Sequence, residues 1–194
     1  MAGKFNRKTM IIIDCGVAAV LIIVAFFIYA ETRSSSPGAP GQSAQSYAIE
    51  GVTAFKAGEF TLAQRLFSDE IHASGNSVNA RAIGLYNLGT VMARLNHVNL
   101  AIGDYRLAVK YTPNFARAWI TLASTEASLK NDTLALSDYN DYLAIDPSNP
   151  VALLNSGVLL YDGGQKTTGV TRIKEALRLE PALSSQVPTS INLK

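Results

Sequence analysis

Chemistry-bearing side chains are scarce in this 194-residue chain, which has one cysteine, two histidines and one tryptophan. Cys15 sits inside an apolar run, so the remainder of the chain can form neither a disulfide nor a thiolate zinc site. His72 and His97 stand without an HxxxH partner or an acidic cluster, and they read as solvated residues rather than metal ligands. Gly163-Gly164 lacks the following Lys-Ser/Thr of a phosphate loop, and Asp138, Asp141 and Asp146 lack the alternating spacing of a calcium loop. With no catalytic constellation, no metal set and no cofactor motif, the chain reads as a non-enzyme.

Excess charge is also missing. Residues 1–30 hold Lys4, Arg7, Lys8 and Asp14, and removing them from the whole leaves 14 basic and 14 acidic residues. The mildly basic balance therefore belongs to the N-terminal flank, and no basic stripe remains to steer nucleic acid. Asn131-Asp132-Thr133 is a glycosylation sequon, meaningful only where exported proteins are glycosylated.

What is present begins with an apolar run. Residues 10–30 hold only Asp14 as a charge, and as a helix they would reach about 32 Å, enough to cross a bilayer core. Residues 1–9 carry Lys4, Arg7 and Lys8, which puts the N-terminus in the cytoplasm and everything after the span on the exported side, periplasmic or extracellular. Asp14 lies near the cytoplasmic edge and can snorkel to the headgroups. The rival reading is a signal peptide cleaved after Ala30; Ile28 at the −3 position fits it poorly, so the sequence favours an uncleaved anchor. Residues 31–46 have the Ser/Pro/Gly composition of a flexible linker, about 22 Å in root-mean-square span.

The rest repeats itself. Gly89, Ala123 and Gly157 are spaced by 34 residues, and Pro113, Pro147 and Pro181 keep the same step. Ala101, Ala135 and Gly169 share that register, as do Tyr105, Tyr139 and Ile173. A looser earlier copy holds Tyr47, Gly51, Ala63 and Phe67, with four extra residues assigned to the turn-rich Ser74-Gly75-Asn76-Ser77. A fixed period of this size means stacked supersecondary units, each unable to bury its apolar face alone. Asn149-Pro150 reads as an N-cap and first helical residue, and Thr61 with Gln64 as a capping box. Tyr142 is an exception, because it stands where the other copies have Ala108 and Ala176.

The period, the Leu88-Gly89 pair and the closing prolines resemble the tetratricopeptide repeat (TPR) family. The resemblance implies an all-α fold: a right-handed helix–turn–helix solenoid over 47–183, with repeats at about 47–77, 82–115, 116–149 and 150–183, behind an N-terminal transmembrane helix. Residues 184–194 then form a tail with no amphipathic pattern, and the last helix reads as polar enough to end the array by itself.

In that family the first helices line a concave groove. Carried over, the groove positions include Val52 and Phe55, then Ile83, Tyr86, Asn87, Thr90 and Arg94. Arg117, Ile120 and Ser124 follow from the third repeat, and Leu154, Asn155, Val158 and Tyr161 from the fourth. Some members clamp a C-terminal carboxylate with two Lys, one Arg and two Asn. Here Asn87 and Arg117 fit two positions, but Ala48, Val52 and Thr121 occupy the others, which disfavours that clamp. A mostly apolar, hydroxylic groove suits an extended or helical segment of a protein partner. The expected function is thus a membrane-anchored adaptor or accessory subunit of an envelope or secretory complex. The alternatives are a self-associating structural subunit and a secreted form released by cleavage.

Overall fold

The computed structural model describes residues 42–193. Among them there are eight α-helices and no strand: α1 Ala44–Ala57, α2 Phe60–Ala73, α3 Val78–Arg94, α4 Val98–Tyr111, α5 Ala116–Ser128, α6 Asp132–Ile145, α7 Pro150–Asp162 and α8 Lys166–Leu179. A 3-10 helix, Pro181–Gln186, follows. The residues read as the cytoplasmic N-terminus and the membrane anchor, with Asp14 and Cys15, lie outside the described residues. Within the described residues no helix is long and apolar enough to cross a membrane.

Three of the four first helices carry a side-chain cap, which α5 and the second helices lack. Ser43, Ser77 and Asn149 cap α1, α3 and α7, accepting from the backbone N–H of Ser46 (3.2 Å), Ala80 (3.3 Å) and Ala152 (3.0 Å). Asn149-Pro150 thus does what its sequence suggests. The second helices have no side-chain cap. Each instead follows a residue in the left-handed region: Gly58, Asn96, Lys130 and Gly164 at φ 81°, 64°, 62° and 89°. That residue turns the chain back on itself. The capping box expected at Thr61 and Gln64 does not form, because α2 starts one residue before Thr61 and its N-cap is Glu59.

Two boundaries differ from the sequence reading. Helix α1 begins at Ala44, inside the stretch read as linker. The four extra residues are not loop either: α3 has 17 residues where α5 and α7 have 13, while the loop before it, 74–77, matches 112–115 and 146–149 in length. A helical turn satisfies its own backbone groups, which a longer loop would have to satisfy elsewhere. The added turn is held at its edges. The Arg81 guanidinium donates to the Gly75 carbonyl and stands 5.4 Å from the Tyr111 ring centroid, and Thr112 donates to Asn79 at 3.2 Å.

Packing inside each hairpin follows one rule. A small residue on the first helix meets a large one 16 residues on: Gly51 on Phe67, Gly89 on Tyr105, Gly157 on Ile173. A Cβ at Gly89 would stand 2.8 Å from the Tyr105 ring, closer than packed carbons tolerate. Tyr142 is accommodated as a buried ring whose hydroxyl donates to Asp146 at 3.1 Å, beside Ala123, Tyr139 and Ala152.

The C-terminal residues are not a free tail. Leu183 and Ile191 are buried with Leu153, Leu154 and Ile173, and Val187 and Leu193 pack against the same cluster. Residues 181–193 therefore cover the apolar side of the last described repeat, which the polar residues of α8 do not close alone. Leu183, Val187 and Ile191 recur every four residues, but Pro188 interrupts any helix over them, so the spacing does not announce where they pack.

Candidate peptide-binding groove

The groove positions fall into three groups. Val52 (38% exposed), Ile83 (45%), Arg94, Arg117 and Ser124 are open to solvent. Phe55, Tyr86, Asn87, Thr90, Ile120, Asn155, Val158 and Tyr161 are half-buried. Leu154 is 2% exposed and belongs to the core under the tail, so it serves as a packing residue and not as an open groove position. The correction has a simple cause: the tail covers the face of α7 that a further repeat would otherwise meet.

Several half-buried groups are already engaged. Tyr86 packs between Tyr105 and Phe115, with ring centroids 5.7 and 5.2 Å away. Phe55 meets Phe60 edge-on at 5.5 Å, and the Arg94 guanidinium lies 5.6 Å from the same Phe60 ring. Thr90 donates to the Tyr86 carbonyl at 2.9 Å, Ser124 to the Thr121 carbonyl at 3.0 Å, and the Asn155 amide to the Tyr139 hydroxyl at 3.0 Å. Lys166 sits 5.5 Å from the Tyr161 ring centroid. Asn87 hydrogen-bonds Glu70, whose carboxyl burial pushes up to about 7 while that bond pulls it partly back.

The fold brings Ser124, Leu154, Asn155 and Val158 to one cleft of about 360 Å³, together with Tyr139, Lys130 and Asp162. Gln186 and Pro188 of the tail line it too, and the sequence offered no sign of their presence. Ile83 borders a separate recess of about 260 Å³ with Asn79 and Phe115. Neither recess is lined by Val52, Phe55, Arg94, Arg117 or Ile120.

Sequence reasoning also passed over a buried polar cluster between α4, α5 and α6. The Arg106 guanidinium donates to Glu126, which is 1% exposed, and the Asn131 amide donates to the other Glu126 oxygen at 2.6 Å. A signal was available. Glu126 occupies the register position that holds Met92 and Leu160 in the flanking repeats, so a charge stands at a core position. The sequon asparagine is thereby tied down, with its amide on Glu126.

No family model matches the chain. It is 33% identical over 85 residues to a tetratricopeptide repeat domain-containing protein, PYG7, of Arabidopsis thaliana chloroplasts, which covers 41% of this chain and 28% of the relative. The chain spans less than a third of the length of the curated relatives it matches. Among solved structures, MamA from Desulfovibrio magneticus RS-1 superposes with a TM-score of 0.63 at 24% identity, covering 74% of this chain and 78% of that one. YrrB, described as a TPR protein with an unusual peptide-binding site, gives 0.61 at 20% identity over 88% of this chain and 89% of its own. Fold, register and these likenesses agree, and the described residues are an array of tetratricopeptide-type helical repeats.

Proposed function

We propose that this chain is a protein–protein interaction module held at a membrane by residues 10–30. Its first-helix face takes an extended segment of a protein partner, and it serves as an adaptor or accessory subunit in an envelope or secretory complex. The observation that carries the reading is the open apolar pair Val52 and Ile83, accompanied on the same series of first helices by the solvent-facing Arg94, Arg117 and Ser124. Apolar anchors beside donors that can hold a backbone suit an extended peptide. That YrrB is described as having a peptide-binding site supports the assignment at the level of fold alone. Placement of the array on the exported side rests on Lys4, Arg7 and Lys8 before the apolar run.

The test is a paired recovery from native membranes in mild detergent. One bait is the full chain; the other ends at Gly41, before the Ser43 cap of α1. Partners held by the full chain and lost from Ile83→Asp combined with Ser124→Arg place binding on the first-helix face. Partners held equally by the short bait would move the function into the N-terminal segment. Leu154 is unsuited to this test, because an aspartate there would unfold the last repeat.

A further inference from the structure

A recess of about 420 Å³ lies between α4, α5 and α6 and shares no residue with the groove positions. Its walls include Val109, Trp119, Leu122 and Leu134, with Leu134 45% exposed at its surface. Trp119 is fixed by its indole N–H, which donates to the Pro113 carbonyl at 2.8 Å. Asp138 also lines the recess; it is nine-tenths buried, and its Oδ2 has no hydrogen-bond partner. Burial pushes this carboxyl up to about 6, while Arg106 pulls it down and Glu126 and Asp141 push it up. The Arg106 guanidinium is committed to Glu126. Oδ2 is sealed from solvent, so a ligand donor satisfies it once the carboxylate turns that oxygen toward the recess.

The charges around the recess narrow that ligand. A cationic group would meet Arg106 and Lys110, which both line it. An anionic group would meet Asp138 and the nearby Glu126. A pure hydrocarbon would leave Oδ2 unpaired. A neutral ring carrying one donor at its tip satisfies all three constraints, with its body against the apolar walls. We propose that this recess binds a tyrosine side chain of a partner protein, its ring among Trp119, Leu122 and Leu134 and its hydroxyl donating to Asp138. It is a second contact point, on a different set of residues from the groove, and it stands whether or not the groove is occupied.

Trp119 is the single tryptophan of the chain, so 5-fluorotryptophan labelling of the full chain gives one fluorine resonance that reports on this recess. N-acetyl-tyrosinamide should shift that resonance saturably, with at least tenfold tighter binding than N-acetyl-phenylalaninamide. Asp138→Leu should erase that preference, Asp138→Asn, which keeps an acceptor oxygen, should retain it, and Leu134→Arg should block both probes. The proposal is overturned if the tyrosine probe produces no saturable shift, if the phenylalanine probe binds equally well, or if Asp138→Leu keeps the preference while its far-ultraviolet circular dichroism matches the parent.

Discussion

Gly157 and Gly169 face each other across the α7–α8 hairpin so closely that a Cβ on Gly169 would stand 2.6 Å from the Gly157 carbonyl oxygen and 2.7 Å from the Tyr161 nitrogen. Both obstacles are backbone, so neither can rotate away. The other repeats hold alanine at the Gly169 position, in Ala63, Ala101 and Ala135. In a helix interior alanine gains up to about 1 kcal/mol over glycine, whereas forcing an extra carbon into packed backbone costs about 1–3 kcal/mol. The steric term wins. Gly169→Ala should lower stability by about 1–2 kcal/mol in urea unfolding, even though it brings repeat 4 closer to its siblings.

Lys130 presents the opposite case. It alone among the four hairpin-turn residues Gly58, Asn96, Lys130 and Gly164 is neither glycine nor asparagine, yet it shares their left-handed conformation at φ 62°. That conformation costs a side chain with a Cβ about 1–2 kcal/mol, of which glycine's greater freedom when unfolded returns part. Lys130→Gly should raise stability by about 0.5–1 kcal/mol, seen as a higher urea midpoint at unchanged slope.

The ion pair between Arg106 and Glu126 is unequal, half-exposed on one side and 1% exposed on the other. Removing Arg106 leaves the Glu126 charge buried with only Asn131 as a partner, which should cost about 3 kcal/mol. Glu126→Leu restores the apolar residue type found at Met92 and Leu160, and should cost less than about 1 kcal/mol or stabilise. If both substitutions cost the same, the pair is a net stabiliser and the register argument fails.

Glu70 makes stability depend on pH. Its carboxyl is buried, Oε2 lacks a partner, and its pKa rises from 4.5 to about 7. The native state therefore holds this proton more tightly than the unfolded chain. The stability it contributes is complete below pH 4.5 and is lost as pH climbs through 7, an effect on the order of 3 kcal/mol. Asp104 and Asp138, both raised from 3.8 to about 6 chiefly by burial, act in the same direction over a lower window. Melting temperature should fall between pH 5 and 8, and Glu70→Gln should flatten much of that decline.

The tail should behave as part of the last repeat. Ile191→Asp would place a charge among Leu153, Leu154 and Leu183, at a cost of about 3–5 kcal/mol. In a stacked array each unit leans on its neighbours, so the damage should be local. Hydrogen exchange should speed in α7 and α8 while α3 and α4 keep their protection. Uniform loss across the array would instead mean that the repeats unfold as one unit.

The sequence by itself determined the all-α class, the helix pairs and the hairpin packing, because those depend on short-range spacing. A 34-residue step returns a glycine or alanine to the same contact each time, and the opposing ring follows 16 residues later. The N-caps at α1, α3 and α7 belong to the same class of local feature, with Asn149 marked most plainly by the Pro150 that follows it. The four-residue insertion was visible as a number, but its form was not, since a loop and an extra helical turn consume the same residues. Only the tertiary structure decided which predicted groove residues are free. Leu154 holds the register position of Ala48, Tyr86 and Ile120, yet those three are half-buried and Leu154 is 2% exposed. The difference comes from Leu183, Val187, Ile191 and Leu193, which pack in the same cluster as Leu154. Burial of a side chain is set by whichever segment arrives over it, and the spacing of apolar residues within that segment does not say where it will land.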